Sequence, residues 1–306
     1  TITRYTPFRP GERQPNTEVH RALVSLPLNF TNLLSPARRK AMQDLWLQDK
    51  SLVIIGGTTG IGLSAAKAFI RHGASVLVVG RSTDSAEESR VNLKGAIVLT
   101  GDATQTGTAD LAITTCLKEF GDFHGLYHVA GGSGRKFGDG PLHELTREGW
   151  EQTFRLNLTS LMLSNQAAVR CFMERHQPGT ILNMGSVLGY SPSPEHFVTH
   201  AYAAAKAAAI GFTKSIAAYY APKNIRVNIL APGLVETPMA QRAATDEKII
   251  SFVKTKQPLD GGRIGAPSDL DGAAVYFMSD FSRFTTGQVL SIDGGWHLSE
   301  GQYRQP

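Results

Sequence analysis

From Ser51 onward the chain alternates between short, almost unbroken apolar runs and longer stretches with helical spacing. No other feature limits the fold as strongly. The runs are SLVIIGG (51–57), SVLVVG (75–80), AIVLTGD (96–102), GLYHVAGG (125–132), GTILNMGS (179–186), IRVNILAPG (225–233) and GQVLSIDGG (287–295). Each is of strand length and most are apolar at consecutive rather than alternate positions, as expected of strands covered on both faces. Between them lie GLSAAKAFIRHG (62–73), a stretch of about 107–120, another of about 146–175, and HAYAAAKAAAIGF (200–212), all helix-like. Strand, helix, strand in repetition predicts an α/β fold: one doubly wound parallel sheet of about seven strands with helices on both faces. Ligands of such sheets bind beyond the carboxyl ends of the strands, so the residues that close each run are the candidates for function.

The first fifty residues have a different texture. They hold five of the fifteen prolines, and eight Lys/Arg against four Asp/Glu, which accounts for four of the five net positive charges. This predicts an N-terminal arm over 1–50 and a single main domain over 51–306. One short docking helix is expected near the arm's end, where Ser35 can cap, Pro36 suits a first turn, and Met42, Leu45 and Trp46 form an apolar stripe. The main domain carries no cluster of Lys/Arg, which argues against nucleic acid as a partner, and RRK (38–40) reads as a solvated helix face. No apolar run has membrane-spanning length, and TITRYTPFRP at the start has no apolar signal core. The only cysteines, Cys116 and Cys171, sit in helix-like segments and read as small buried hydrophobes. A cytoplasmic protein is expected from these features.

IIGGTTGIG (54–62) sets Gly56, Gly60 and Gly62 between the first run and the helix after it. Glycines there allow a tight turn and close backbone approach to a pyrophosphate, and the helix N-terminus offers free N–H groups to the anion. The second run ends in Gly80, Arg81 and Ser82, with no acidic residue to accept from a free ribose 2′-hydroxyl and a guanidinium available to a 2′-phosphate. That predicts NADP(H) over the alternative NAD(H). Asp102, just past the third run, is placed to accept from the adenine amino group.

Tyr202 and Lys206 stand four residues apart on the alanine-rich helix and therefore share a face. A neighbouring cation favours the phenolate. Bringing a phenol from ~10 toward neutrality takes roughly 3 pH units, about 4 kcal/mol. That is much for one ammonium, so the positive charge of an oxidised nicotinamide is expected to help. Such a phenol could take a proton from an alcohol as hydride leaves.

The glycine turn, RLNLTS (155–160), NMGSVLGY (183–190), the Tyr-x-x-x-Lys pair, NILAPGLVETPM (228–239) and TGQVLSIDGG (286–295) occur in this order. Together, over about 51–296, they resemble the short-chain dehydrogenase/reductase family. The resemblance implies a Rossmann-like sheet, a nicotinamide cofactor, a small-molecule alcohol or carbonyl substrate, and commonly a homo-oligomer, tetramer or dimer. It implies Tyr202 as acid/base, Lys206 as its tuner and a ribose ligand, Ser186 on the substrate oxygen, and Asn157 holding a water that links Lys206 to solvent. It places the cofactor against Gly56, Thr58, Thr59, Gly60, Ile61, Gly62, Arg81, Ser82, Asp102, Ala103, Ala130, Gly131, Tyr202, Lys206, Pro232, Gly233, Val235 and Thr237. Substrate contacts are expected from Ser186, Leu188, His196, Tyr202 and Met239.

Three positions depart from the family's pattern. Ile55 replaces a threonine before the first glycine. His128 and Val129 replace two asparagines, which should change how the fourth strand is tied near the adenosine. YSPSPEHFVTHAY (190–202) is a few residues longer than usual and should border the substrate pocket. Its His196 and His200 have no carboxylate or cysteine spaced to complete a metal site, so none is expected. The segment 239–262 reads as helix then loop covering the substrate. The expected activity is interconversion of a secondary alcohol and a ketone, with a 3-oxoacyl thioester or a sugar or polyol as substrate classes. The alternatives are a catalytically silent nucleotide-binding scaffold of the same fold, or a protein whose basic arm is an interaction module.

Overall fold

The computed structural model describes residues 45–301. The docking helix expected near 35–46 lies outside them, apart from its last residues. These enter a turn over 46–49 whose Leu47 is fully buried and whose N–H bonds the His72 carbonyl at 2.9 Å.

Seven parallel strands form one sheet: β1 Ser51–Ile55, β2 Ser75–Gly80, β3 Ile97–Thr100, β4 Gly125–His128, β5 Gly179–Met184, β6 Ile225–Pro232 and β7 Val289–Ile292. Their order is β3-β2-β1-β4-β5-β6-β7. The helices are α1 Gly60–Arg71, α2 Thr83–Asn92, α3 Thr108–Phe120, α4 Arg147–Phe154, α5 Ser160–Glu174, α6 His200–Tyr220, α7 Gln241–Thr245, α8 Glu247–Lys256 and α9 Asp271–Met278. All seven expected strands are present. Helix α2 is an addition to the sequence reading, and its segment, TDSAEESRVN, buries only Ala86 and Ser89.

Alternate residues of the central strands enter opposite cores. Leu52, Ile54, Val76 and Val78 pack with Ala65, Ala66 and Phe69 of α1 and Val275 and Phe277 of α9. Val53, Ile55, Leu77 and Val79 pack with Ala112 and Ile113 of α3, Ala168 and Phe172 of α5, and Ala217 of α6. Because both faces are covered, the strands need no polar side, which explains the continuous apolar runs. Cys116 and Cys171 are buried and free, and burial pushes the Cys116 thiol up to about 12, so it packs as a hydrophobe.

β1 lies between β2 and β4, in register at Ile55 with Val79 on one side and His128 on the other. The chain leaves β1 toward β2 and later crosses back to β4, so its connections part at the carboxyl ends of β1 and β4. A crevice opens there.

Candidate active site

The crevice is a cavity of about 490 Å³. Its first wall is the turn from β1 into α1. Gly56 has φ +90°, and a Cβ there would stand 2.6 Å from the Ala130 nitrogen, so only glycine fits where this turn meets the end of β4. Thr59 caps α1 without a side-chain bond and the first turn holds no acidic residue, so the N–H groups of that turn are open to an anion. At the end of β2, a Cβ on Gly80 would collide with Thr58 Oγ1 at 2.1 Å. Thr58 is itself held, its hydroxyl 3.1 Å from Ser85 Oγ and its carbonyl accepting from Ser89 Oγ at 2.9 Å. Arg81 and Ser82 follow on the lip. Asp102 spends one oxygen on the Thr104 N–H at 2.9 Å and keeps the other. The backbone approach, the open N–H groups and the basic lip fit a dinucleotide phosphate chain.

The second wall carries the reactive groups. Ser186 lies two residues past β5, and Tyr202 and Lys206 project from the first two turns of α6. Tyr202 keeps part of its surface open to the cleft, yet burial pushes its phenol up to about 12, with hydrogen bonding to Ser186 pulling it back. Lys206 is buried, donates to the Met184 carbonyl at 2.9 Å, and stands 5.5 Å from the centre of the Tyr202 ring. Burial lowers its ammonium to about 8. The shared helical face brings the ammonium over the Tyr202 ring, and burial is the largest influence on the phenol.

Asn157 sits in a π-helical segment, Arg155–Thr159, that interrupts the long helix expected over 146–175. The Ser160 N–H bonds the Arg155 carbonyl, five residues back, while the Leu156 carbonyl that an α-helix would give it accepts from Ser160 Oγ at 2.7 Å. Both N–H groups of the Asn157 side chain are engaged. Its Oδ1 accepts from the Gly132 N–H at 3.1 Å, and its Nδ2 donates to the Gly132 and Thr153 carbonyls at 2.8 and 2.9 Å. It clamps the loop after β4 beside Gly131, where an added Cβ would lie 2.7 Å from Asn157 Oδ1 and 3.6 Å from Lys206 Nζ. With both N–H groups spent, a water beside Asn157 would be held by the second lone pair of Oδ1 or by the main chain.

His128 is also placed differently from expectation. Its ring is fully buried, Nδ1 3.0 Å from Ser164 Oγ and Nε2 3.5 Å from Ser160 Oγ, so it ties β4 to α5 at the Lys206 end of the crevice, not near the adenosine side. Burial and Lys206 hold it down at about 3, so it is neutral.

The cavity wall includes every expected cofactor residue except Gly62, and Leu188 and Met239 but not His196. A Cβ on Gly62 would meet the Gly56 carbonyl at 2.0 Å, so this glycine lets α1 close on its own turn. The His196 ring packs against Phe252 at 4.8 Å, and only its neighbour Phe197 lines the cavity. Among the described residues no group of three or more His, Cys, Asp or Glu could hold a metal ion. The segment 239–262 is not a single helix: α7 and α8 are separated at Asp246, and Ala243, Ile249 and Val253 pack with Val187 and Trp296.

One functional group escaped the sequence reading. Asp139, 3% exposed, accepts from the Ala201 and Tyr202 N–H groups at 2.9 and 3.0 Å. Thr199, at the cap position of α6, makes no side-chain capping bond, so a carboxylate from sixty residues earlier caps the helix that carries Tyr202. In KFGDGP (136–141) an aspartate looks like an ordinary turn residue, and nothing local marks its distant partner.

This fold and site define a nicotinamide-dependent dehydrogenase or reductase. Comparison with known proteins agrees. The family described as "Enoyl-(Acyl carrier protein) reductase" matches residues 56–297. The 2-(S)-hydroxypropyl-CoM dehydrogenase 3 of Xanthobacter autotrophicus is 35% identical over 81% of this chain and 97% of its own. A 3-oxoacyl-[acyl-carrier-protein] reductase of Chlamydia pneumoniae is 33% identical over 82% and 98%. The solved structure of a short-chain type dehydrogenase/reductase from Mycobacterium ulcerans covers 83% of this chain and 91% of its own, with a TM-score of 0.76 and 28% identity. The chain belongs to the short-chain dehydrogenase/reductase family and is an NAD(P)-dependent oxidoreductase acting on CH–OH and C=O groups. Among the described residues no helix is long and apolar enough to cross a membrane.

Proposed function

We propose that the enzyme reduces a ketone to a secondary alcohol with NADPH, with Tyr202 as the proton donor. The observation that carries this reading is that Tyr202, Ser186 and Lys206 line one crevice, with Lys206 Nζ 5.5 Å from the centre of the Tyr202 ring. A phenol at about 12 is an acid at neutral pH, with about one molecule in 10⁵ ionised at pH 7. That state suits donation to a carbonyl oxygen gaining charge, whereas oxidation needs the rare phenolate. Bound, the nicotinamide supplies the hydride and, when oxidised, a positive charge beside this site. Ser186 positions the substrate oxygen, Lys206 holds the ribose and carries positive charge, and Asn157 fixes the loop after β4 against both.

The preference for NADPH rests on the end of β2. Gly80 has no room for an acidic side chain while Thr58 stays in place, and Arg81 can take a 2′-phosphate. The buried, free cysteines suit a reducing compartment such as the cytoplasm, and a homo-oligomer follows the family's habit.

The test is a turnover screen of ketones, oxoacyl thioesters and ketoses with NADPH and NADH. Tyr202→Phe should bind cofactor and lose at least ~100-fold in kcat. Arg81→Ala should weaken NADPH far more than NADH. Unchanged turnover in Tyr202→Phe removes the mechanism, and equal effects on both cofactors remove the preference.

A further inference from the structure

Two arginines stand at the substrate end of the crevice, on separate elements. Arg135 begins a short turn, Arg135–Phe137, after β4, and Arg242 lies in α7 beyond β6. Both line the cavity, and both donate to the same atom, the His196 carbonyl oxygen, Arg135 at 3.4 Å and Arg242 at 3.3 Å. The two guanidinium nitrogens are thus within about 6.7 Å of one another, the sum of those bonds. Neither arginine makes an ion pair among the described residues. The carboxylate that acts on Arg135 is Asp139, and its two oxygens are spent on the first turn of α6. A single carbonyl cannot neutralise two cations, and the bonds to it are longer than the roughly 2.7–2.9 Å of charge-assisted ones. Partial burial and, after it, the neighbouring charge of Arg242 lower the Arg135 pKa.

The same cavity is lined by Leu188, Phe197, Met239 and Ala243, and the first two and Ala243 belong to one apolar cluster. One cleft thus offers hydrogen-bonding groups, an apolar surface and two cations. We infer that Arg135 and Arg242 form an anion subsite, and that the substrate is a ketone with an apolar spacer and a terminal carboxylate, sulfonate or phosphate. The anion would replace the His196 carbonyl as shared partner and bridge two guanidinium groups, whose planar forks suit an oxyanion. This inference rests on the carbonyl chemistry proposed above but reads a different part of the cleft.

The experiment uses the full chain with NADPH and pairs of substrates of equal length: straight-chain oxocarboxylates of four to eight carbons and the methyl ketones that lack the acid. Wild type should favour one of the acids in kcat/KM by at least about 10-fold, the lower range for a hydrogen bond to a charged group. In the double variant Arg135→Gln, Arg242→Gln that acid-to-neutral ratio should fall to near one. Equal kcat/KM for acid and neutral partners at every length overturns the inference while leaving the carbonyl chemistry intact. A ratio that survives the double substitution also overturns it. So does a rise in the KM for NADPH with the ratio unchanged, which would assign the arginines to the cofactor's phosphates. A second measurement does not need turnover: calorimetric titration of NADPH-loaded protein with alkanesulfonates and the alcohols of the same length. Sulfonate binding that is tighter in wild type and lost in the double variant supports the subsite. Sulfonates that bind no better than the alcohols overturn it.

Discussion

Replacing Asp139 with alanine removes a carboxylate that makes two hydrogen bonds, 2.9 and 3.0 Å long, to the second and third N–H groups of α6. The third belongs to Tyr202 itself. Hydrogen bonds to a charged group contribute about 1.5–3 kcal/mol each, and water entering the space of a lost side chain returns part of this. With Asp139 only 3% exposed, that return is small, and the net cost comes to about 2–4 kcal/mol, above a typical surface cap. For a domain of this size each kcal/mol lowers Tm by about 2–4 °C, so a fall of roughly 4–16 °C is expected by calorimetry or circular dichroism. The first turn of α6 should also loosen, and a phenol displaced by about 1 Å costs on the order of 10² in rate. Asp139 does not line the cavity, so kcat should fall further than the KM for NADPH rises. Asp139→Asn is the sharper variant. Because the two N–H groups meet different carboxylate oxygens, the amide oxygen would serve one and its NH₂ would face the other, so the variant should behave more like alanine than like wild type. Unchanged Tm and kcat in both variants would show that Asp139 neither caps α6 nor positions Tyr202.

Three further outcomes follow from the same geometry. His128 sits at about 3 in the fold against an ordinary 6.5, so the unfolded chain takes a proton that the fold refuses; stability should drop by about 1.4 kcal/mol per pH unit as pH falls from 6.5 toward 3. Acid titration of Tm should show a shallower slope in His128→Asn, and an identical slope would mean that the ring is protonated in place. Gly80→Asp should weaken NADPH without creating NADH binding, because the new side chain meets Thr58 Oγ1; tight NADH binding in this variant would show that the turn can yield. With Lys206 lowered to about 8, the site's positive charge is lost above that pH, so kcat/KM should decline through pH 8, and a flat profile to pH 9.5 would contradict the burial of its ammonium.

The sheet could be read from sequence because burial on both faces removes polar residues from the strands, and the chain marks each strand end with glycine or a short polar turn. Six of the seven expected runs go on past the strand that forms, into a glycine or polar turn, as in β1, where SLVIIGG yields Ser51–Ile55. What sequence could not give depends on contacts between distant segments or on backbone hydrogen bonding. The π segment at Arg155–Thr159 arises because Asn157 is held to Gly132 and Ser160 claims the Leu156 carbonyl, and neither shift alters the apolar spacing of a helix. Helix α2 has almost no buried face to leave a pattern. Arg135 and Arg242 lie 107 positions apart in sequence and meet only through the loop that carries His196.

The Tyr202–Lys206 spacing shows the difference between adjacency and effect. Four residues along a helix guarantee a shared face, and the structure delivers it. The sign of the pKa shift is set by something the spacing does not contain, namely how much water the fold leaves around each group. Here burial moves the phenol up and the ammonium down, each toward its neutral form. A tyrosine that stays protonated is ready to donate, and a lysine held at the edge of ionisation responds strongly to any charge placed beside it. The same desolvation that keeps the phenol protonated in the resting site moves the phenolate that oxidation needs to higher pH. The effect should be largest where the cleft is driest, so polar substitutions at Leu188 or Phe197, which admit water toward Ser186, should bring the phenol closer to its ordinary value and move the rising limb of the oxidation pH–rate profile to lower pH.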